Sequence, residues 1–195
     1  MARLLFFAGS ARKDSINKKL AKLAAELARA QGAEVTLIDL KDFEMPLYDG
    51  DLEDEKGLPE NARRLKQLFI DHDGFFIASP EYNSSFSPLL KNSLDWISRV
   101  GKENEPSLIA YTGKIAALAA TSPGGLGGLR GLVSLRMMLG NVGVTVIPKQ
   151  VAIGSGFQAF NDDGGLEDEA QTRMLGSVID ALINAADRMS GQTGQ

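Results

Sequence analysis

The chain has 195 residues, 44% hydrophobic and 24% charged, with no break in composition, which suits one globular domain with a sizeable core. Its formal net charge is −4 and its basic residues are dispersed, which speaks against nucleic acid and a membrane surface as partners and points to a small-molecule ligand. There are no cysteines, so disulfides, thiolate catalysis and cysteine-based metal sites are excluded together, and redox work would need a cofactor.

Short apolar runs at Leu4 to Ala8, Val35 to Asp39, Gly74 to Ala78, Ile115 to Ala120 and Val142 to Ile147 read as five parallel strands covered on both faces. Between the first two, Ile16, Leu20, Leu23, Ala24 and Leu27 recur at helical spacing and stop before Gly32, a good residue for a left-handed helix end. Pro59 reads as a first-turn residue of a helix carrying Ala62, Leu65, Leu68 and Phe69. Leu90, Leu94 and Ile97 mark a third helix, Leu132, Leu135 and Leu139 a fourth, and Leu166 to Ala186 a long last one. Strand and helix alternating in this way predict right-handed crossovers and an α/β three-layer sandwich, one domain over residues 1–186. The polar tail from Asp187 is expected to fray.

No apolar run approaches the ~20 residues that span a bilayer, and no charged-then-apolar leader precedes Arg3, so a soluble cytoplasmic protein is expected. His72, the single histidine, sits between Asp71 and Asp73 and reads as a surface residue capping a helix end. Asp49, Asp51, Glu53, Asp54 and Glu55 lack the spacing of a calcium loop and read as a solvated acidic loop. Asp162 and Asp163 before two glycines read as a turn.

In open α/β sheets, ligands collect beyond the carboxyl ends of the strands, so residues just after strands are the informative ones. Three such segments stand out. In Gly9 to Asn17, Gly9 permits a tight turn, Ser10, Ser15 and Asn17 offer donors, Arg12 offers a charged fork, and the following helix points its free N–H groups the same way. That set suits a phosphate monoester; the plainer reading is a helix cap at Asp14 or Ser15 with a solvated Arg12. The segment matches neither a dinucleotide fingerprint nor a Walker loop.

In the second, Ser79 to Ser85, Pro80 fixes a backbone angle, Tyr82 supplies a flat apolar surface, and Asn83, Ser84 and Ser85 supply donors, either for a planar heteroaromatic ligand or as a plain helix entry. The third, Thr121 to Gly128, opens the stretch "TSPGGLGGLRGL", whose five glycines let main-chain N–H groups approach a ligand or form a moving loop. Lys91 and Asp95 read as an ordinary helix pair.

"GSARKDSIN", "PEYNSSFSPLLKNSLDW" and "TSPGGLGG", in this order and spacing, closely resemble the NADPH-dependent FMN reductase family of flavodoxin-like proteins, over roughly Leu4 to Ile153. That family includes quinone, azo-dye and chromate reductases. The resemblance implies a sheet of order 2-1-3-4-5, FMN as cofactor and NADPH or NADH as co-substrate. It implies that Ser10, Arg12, Ser15, Ile16 and Asn17 hold the FMN phosphate, the serines and asparagine by hydrogen bonds, Ile16 by its main chain and Arg12 by charge. Pro80, Glu81, Tyr82 and Asn83 would line the isoalloxazine edge, with Ser122, Pro123, Gly124 and Gly125 on the other side of the ring. The Glu81 carboxylate would be a structural acceptor or a partner for a neighbouring subunit, not a catalytic acid.

Hydride would pass from nicotinamide to flavin, and two electrons onward to a quinone, azo compound, free flavin or metal oxyanion. No catalytic side chain and no metal are expected. The resemblance further implies a homodimer through the helices starting near Ser87 and Leu129, with Trp96, Met137, Met138 and Leu139 as candidate contacts or, equally, plain core residues, and leaves open whether dimers pair into a homotetramer. The alternatives are an FMN-binding electron carrier that docks on partner redox proteins, and a flavin-free scaffold. Arg12 and the modest net charge weigh against the carrier.

Overall fold

Strand β1 (Arg3–Ala8) sends Leu4, Phe6 and Ala8 into one layer and Leu5 and Phe7 into the other, and all are buried. A strand without polar alternation has to be covered on both faces, and the rest of the chain supplies the cover. The computed structural model describes residues 1–192, with side chains through Met189. After β1 come α1 (Ile16–Ala30), β2 (Glu34–Leu37), a 3₁₀ turn (Leu40–Phe43), α2 (Gly50–Lys56) and α3 (Glu60–Asp71). Then follow β3 (Gly74–Ala78), a short hairpin of β4 (Glu81–Tyr82) and β5 (Ser85–Phe86), α4 (Pro88–Ser98), β6 (Ile115–Thr121), α5 (Leu129–Asn141), β7 (Thr145–Ile153) and α6 (Glu169–Gln192).

The long strands pair in parallel in the order β2-β1-β3-β6-β7, the expected 2-1-3-4-5. Helices α1 and α6 cover one face of the sheet and α3, α4 and α5 the other. Strand order reverses at β1, so the carboxyl ends of β1 and β3 form the switch point where open sheets bind ligands. Phe6 and Phe76 stack across these two strands with centroids 5.3 Å apart.

The last strand lies further along the chain than the predicted Val142 to Ile147. Val142 closes α5, Gly143 turns the chain at φ +90, and β7 then runs through Pro148 to Ile153. A proline is tolerated because β7 is an edge strand and the register shifts opposite Ala116 and Leu118. The guanidinium of Arg136 donates from Nη1 to the carbonyls of Val146 (3.2 Å) and Ile147 (2.8 Å) and from Nη2 to Gln150 Oε1 (2.8 Å), satisfying groups the shift leaves over.

Other boundaries also move. The final helix starts after Asp168, whose Oδ1 accepts from the Ala170 N–H, and continues through Gln192; helix therefore extends past the expected fraying point at Asp187, and residues 193–195 lie outside the described part. Pro59 is the residue before α3, in an extended conformation, not its first turn. The acidic stretch is not a loop: Asp49 caps α2 by accepting from the Asp51 N–H, and Glu53 takes Arg99 and the Tyr48 hydroxyl.

His72 does cap α3, with Nδ1 2.6 Å from the Leu68 carbonyl. It is buried, however, and its Nε2 meets Thr36 Oγ1 at 2.8 Å. Trp96 and Leu139 are fully buried, so neither is free to contact a second subunit. The Trp96 indole donates to the Pro46 carbonyl and meets Tyr48 edge-on. Lys91 and Asp95 form the expected helix pair, and Gly164 with Gly165 turns the chain before α6.

Candidate functional site

The end of β1 is tied to its neighbours before the chain turns. The Gly9 N–H donates to the Ala78 carbonyl, and the Gly9 carbonyl accepts the Ser87 hydroxyl at 2.5 Å. Ser87 also caps α4 by accepting from the Leu90 N–H. A side chain at position 9 would press on Leu90 and Pro80, at 3.1 to 3.3 Å, so glycine is what lets these elements close up.

The turn then delivers Ser15 to the amino-terminal end of α1 in an extended conformation. Its carbonyl accepts from Lys18 and Lys19, while its hydroxyl makes no capping hydrogen bond. The first-turn N–H groups of Ile16 and Asn17 lie ahead of the intrahelical ladder, and no acidic residue occupies that turn. Among the described residues, the Arg12 guanidinium has neither an ion pair nor a hydrogen bond, and the Arg12 N–H donates to Ser10 Oγ at 3.3 Å. Helix dipole, unpaired N–H groups, free hydroxyl and free guanidinium make a ready anion cup.

Asn17 also ties the cup to the neighbouring strand. Its side chain is buried and exchanges two hydrogen bonds with the main chain of Thr121, which engages one amide hydrogen and the carbonyl oxygen and leaves the second amide hydrogen and the main-chain N–H. Thr121 Oγ1 donates to the Ile153 carbonyl at 2.9 Å, which brings the end of β7 to the same place.

The second wall is a hairpin. Asn83 and Ser84 both have positive φ (51° and 68°), as a two-residue turn matching strand twist requires, and Tyr82 and Ser85 pair below it. The Tyr82 ring is exposed at the mouth. The Glu81 carboxylate turns away into the protein, accepting Arg130 Nε at 3.0 Å and the Gly131 N–H at 3.3 Å. Within the chain Glu81 therefore acts as an acceptor for Arg130 and the start of α5.

The third wall is the glycine-rich loop, packed closely against the end of β7. A Cβ on Gly127 would lie 2.5 Å from the Ile153 nitrogen, and one on Gly154 would lie 2.6 Å from the Gly125 carbonyl oxygen. The loop is therefore laid main chain against main chain over the end of β7.

These walls enclose a cleft of about 190 Å³ lined by Ser10, Arg12, Asp14, Ser15, Ile16, Asn17, Pro80, Glu81, Tyr82, Thr121, Ser122, Pro123 and Phe157. Asn83, at the hairpin tip, and Gly124 and Gly125 are exposed beside the cleft and do not line it. Phe157 is the residue that sequence reasoning missed. It follows β7, and its ring is exposed at the mouth like that of Tyr82. Its place is set by the Gly156 N–H, which donates to the Ser122 carbonyl at 2.9 Å.

A larger hollow, about 590 Å³, opens between α3 and residues 101–109 around Lys66 and Glu105. It contains none of the post-strand residues, so size alone does not mark the site. The small cleft offers features that suit a flavin nucleotide's phosphate end: main-chain and hydroxyl donors at a helix start with Arg12 beside them, and two exposed aromatic residues, Tyr82 and Phe157, in its lining.

The comparisons with known proteins agree with this fit. A family model described as NADPH-dependent FMN reductase matches residues 2–158. The chain is 33% identical to a quinone reductase of Escherichia coli over 184 residues, covering 94% of this chain and 87% of that protein. It is 40% identical to a 2-hydroxy-1,4-benzoquinone reductase of a Burkholderia species over 119 residues, 61% of this chain and 60% of that protein, so this match spans less than two thirds of the relative. Among solved structures, FerB of Paracoccus denitrificans, a flavoenzyme NAD(P)H:(acceptor) oxidoreductase, superposes with a TM-score of 0.82 at 29% identity, covering 97% of this chain and 99% of that one. With a family match over most of its length and an open, donor-rich helix start at the switch point of the matching fold, the chain belongs to the NADPH-dependent FMN reductase family, with FMN as cofactor and NAD(P)H as reductant.

Proposed function

We propose that this protein is an NAD(P)H:acceptor oxidoreductase that delivers two electrons to small oxidised molecules, quinones foremost, with azo compounds, free flavins and metal oxyanions within its range. The observation that carries this reading is the cup at the start of α1, where the Ile16 and Asn17 N–H groups, the Ser15 hydroxyl and Arg12 are left without partners by the rest of the described chain. When bound, FMN supplies hydride acceptance and two-electron release, and the protein's share is binding and orientation.

Each part of the chain has a distinct task in this scheme. The α1 turn and Arg12 take the phosphate by charge-assisted hydrogen bonds. The Pro80–Asn83 hairpin and the Ser122–Gly125 loop set the edges of the ring slot. Tyr82 and Phe157 present apolar faces at the mouth, where nicotinamide and acceptor take turns. The visible spectrum of the purified protein tests the reading: flavin absorption that bleaches on adding NADPH and returns on adding a quinone is expected, and a colourless protein that takes up no FMN would overturn it. Steady-state lines should run parallel when both substrates vary; intersecting lines would overturn the alternation.

A homodimer belongs to the same proposal. Leu126, Leu129, Val133 and Met137 form an exposed apolar stripe along α5 and the loop before it, next to the ring slot, and a second copy is the occupant that would cover it. Work in the cytosol, on soluble NAD(P)H, completes the reading; among the described residues no helix is long and apolar enough to cross a membrane. Oxidation of NADPH by the protein alone separates this enzyme from an electron carrier that needs a partner.

A further inference from the structure

Two helix starts face the cleft region, and the protein treats them in opposite ways. The start of α1 is left open. The start of α5 is plugged by the protein's own anion. Gly128, at φ +87, precedes α5 and brings no capping side chain, and the first turn of α5 contains no acid. Into that gap comes Glu81 from the hairpin, its side chain only 10% exposed.

A carboxylate so enclosed is tolerated only when fully partnered. Here Oε1 accepts from Arg130 Nε at 3.0 Å and forms an ion pair with Arg130 Nη2, 2.8 Å away, and Oε2 accepts from the Gly131 N–H at 3.3 Å. The Gly131 N–H belongs to an uncapped helix turn, and the charge complements the dipole at that end. Glycines make the approach possible: a Cβ on Gly131 would lie 3.1 Å from the Ser85 carbonyl oxygen and 3.3 Å from Glu81 Cβ. A second tie runs parallel, between the Ser85 and Ser134 hydroxyls at 3.2 Å.

The hairpin is one wall of the ring slot, and the glycine-rich loop that runs into α5 is the other. We propose that Glu81 is a positioning residue: its carboxylate latches the hairpin to the first turn of α5 and thereby fixes the slot between Pro80–Asn83 and Ser122–Gly125. This rests on the FMN reading above and deepens it, because it assigns the orientation of the ring to a side chain that touches no part of the phosphate cup.

The test uses Glu81→Ala, Glu81→Gln and Arg130→Ala, the last at an exposed position. In the apoprotein, Glu81→Ala should speed hydrogen exchange of the Gly131 amide at least tenfold. It should weaken FMN and riboflavin by the same factor, five- to fifty-fold, since the phosphate cup is untouched, and should shift the midpoint potential of the bound flavin. Glu81→Gln keeps an oxygen opposite the Gly131 N–H and should recover most of the affinity. Arg130→Ala should act in the same direction more weakly, and the Glu81→Ala/Arg130→Ala double variant should be no worse than Glu81→Ala. Faster Gly131 exchange with wild-type flavin affinity and potential would overturn the proposal, leaving the carboxylate a merely structural tie. Wild-type protein that binds no flavin would instead bring down the FMN reading and the slot role with it, while faster Gly131 exchange in Glu81→Ala would still establish the latch.

Discussion

The side-chain amide of Asn17 exchanges two hydrogen bonds with the peptide groups of Thr121: Nδ2 donates to the Thr121 carbonyl at 2.9 Å, and the Thr121 N–H donates to Oδ1 at 3.1 Å. One buried amide thus joins the phosphate cup to the end of β6, 104 residues away. Asn17→Ala would leave both Thr121 groups unmet in the interior, at a cost of roughly 2–4 kcal/mol. Urea unfolding of the apoprotein measures the loss; a cost under about 0.5 kcal/mol would show the bridge to be dispensable.

The Arg12 guanidinium is exposed and, among the described residues, without partners, so its removal should cost binding and not folding. Arg12→Ala should weaken FMN by roughly 1.5–3 kcal/mol, the range for a lost charge-assisted hydrogen bond. Riboflavin, which lacks the phosphate, should bind the variant and the wild type alike. Fluorescence titration of both ligands decides the matter, and equal losses for the two would refute a phosphate role.

Gly127 and Gly32 both have positive φ, but only Gly127 lies against main chain. Gly32→Ala should cost about 1–2 kcal/mol, the left-handed penalty alone. Gly127→Ala adds a Cβ 2.5 Å from the Ile153 nitrogen and should cost roughly 2–5 kcal/mol, with loss of flavin binding. Thermal unfolding of the pair measures the gap between them, and equal melting temperatures would show that the loop can lift.

Acid should weaken the fold through Glu105 and Glu53. Burial pushes the Glu105 carboxyl up, but the Gly101 N–H and the Lys66 ammonium outweigh it and hold the group below its usual value. Burial likewise raises Glu53, and Arg99 and Tyr48 outweigh it. A carboxylate depressed by folding contributes stability that is whole above its unfolded pKa, about 4.3, and is lost as pH falls through the folded value. Stability should therefore decline below about pH 4.5. Glu105→Gln, which strands the nearly enclosed Lys66 ammonium, should be less stable at pH 7 and fall less steeply on acidification. Urea midpoints at pH 7 and pH 3 for both proteins check the slope; parallel declines would count against Glu105 as a source.

Val133 and Met137 stand exposed one turn apart on α5. If this stripe joins two copies, Val133→Glu should convert the dimer to a monomer in sedimentation without lowering the melting temperature of the monomer. A wild-type mass equal to one chain at all concentrations would dispose of the dimer.

Strands covered on both faces announce themselves by unbroken apolar runs, which is why β1 and β3 were legible to within a residue or so. The three post-strand segments were legible for a related reason: glycine, short donors and a cation beside a buried strand have little to do in an ordinary turn. What the sequence hid was long-range. Nothing local shows that the Asn17 amide is engaged by Thr121, that Trp96 hands its N–H to Pro46, or that Glu81 reaches the start of α5. Phe157 was lost to Pro148: a proline normally ends a strand, so the segment after Ile153 was not recognised as one that follows a strand. The edge position of β7 is what makes that proline harmless, and position in a sheet is not written in the strand itself.

The main-chain stacking of Gly127 on Ile153 and of Gly154 on Gly125 also bears on how such a protein can diversify. These positions admit no side chain, so drift there alters the scaffold before it alters chemistry. On the proposed reading, new acceptor preferences would instead arise at the few projecting groups around the opening, Tyr82, Asn83, Pro123 and Phe157, and a mutant library restricted to them would explore selectivity while sparing the frame.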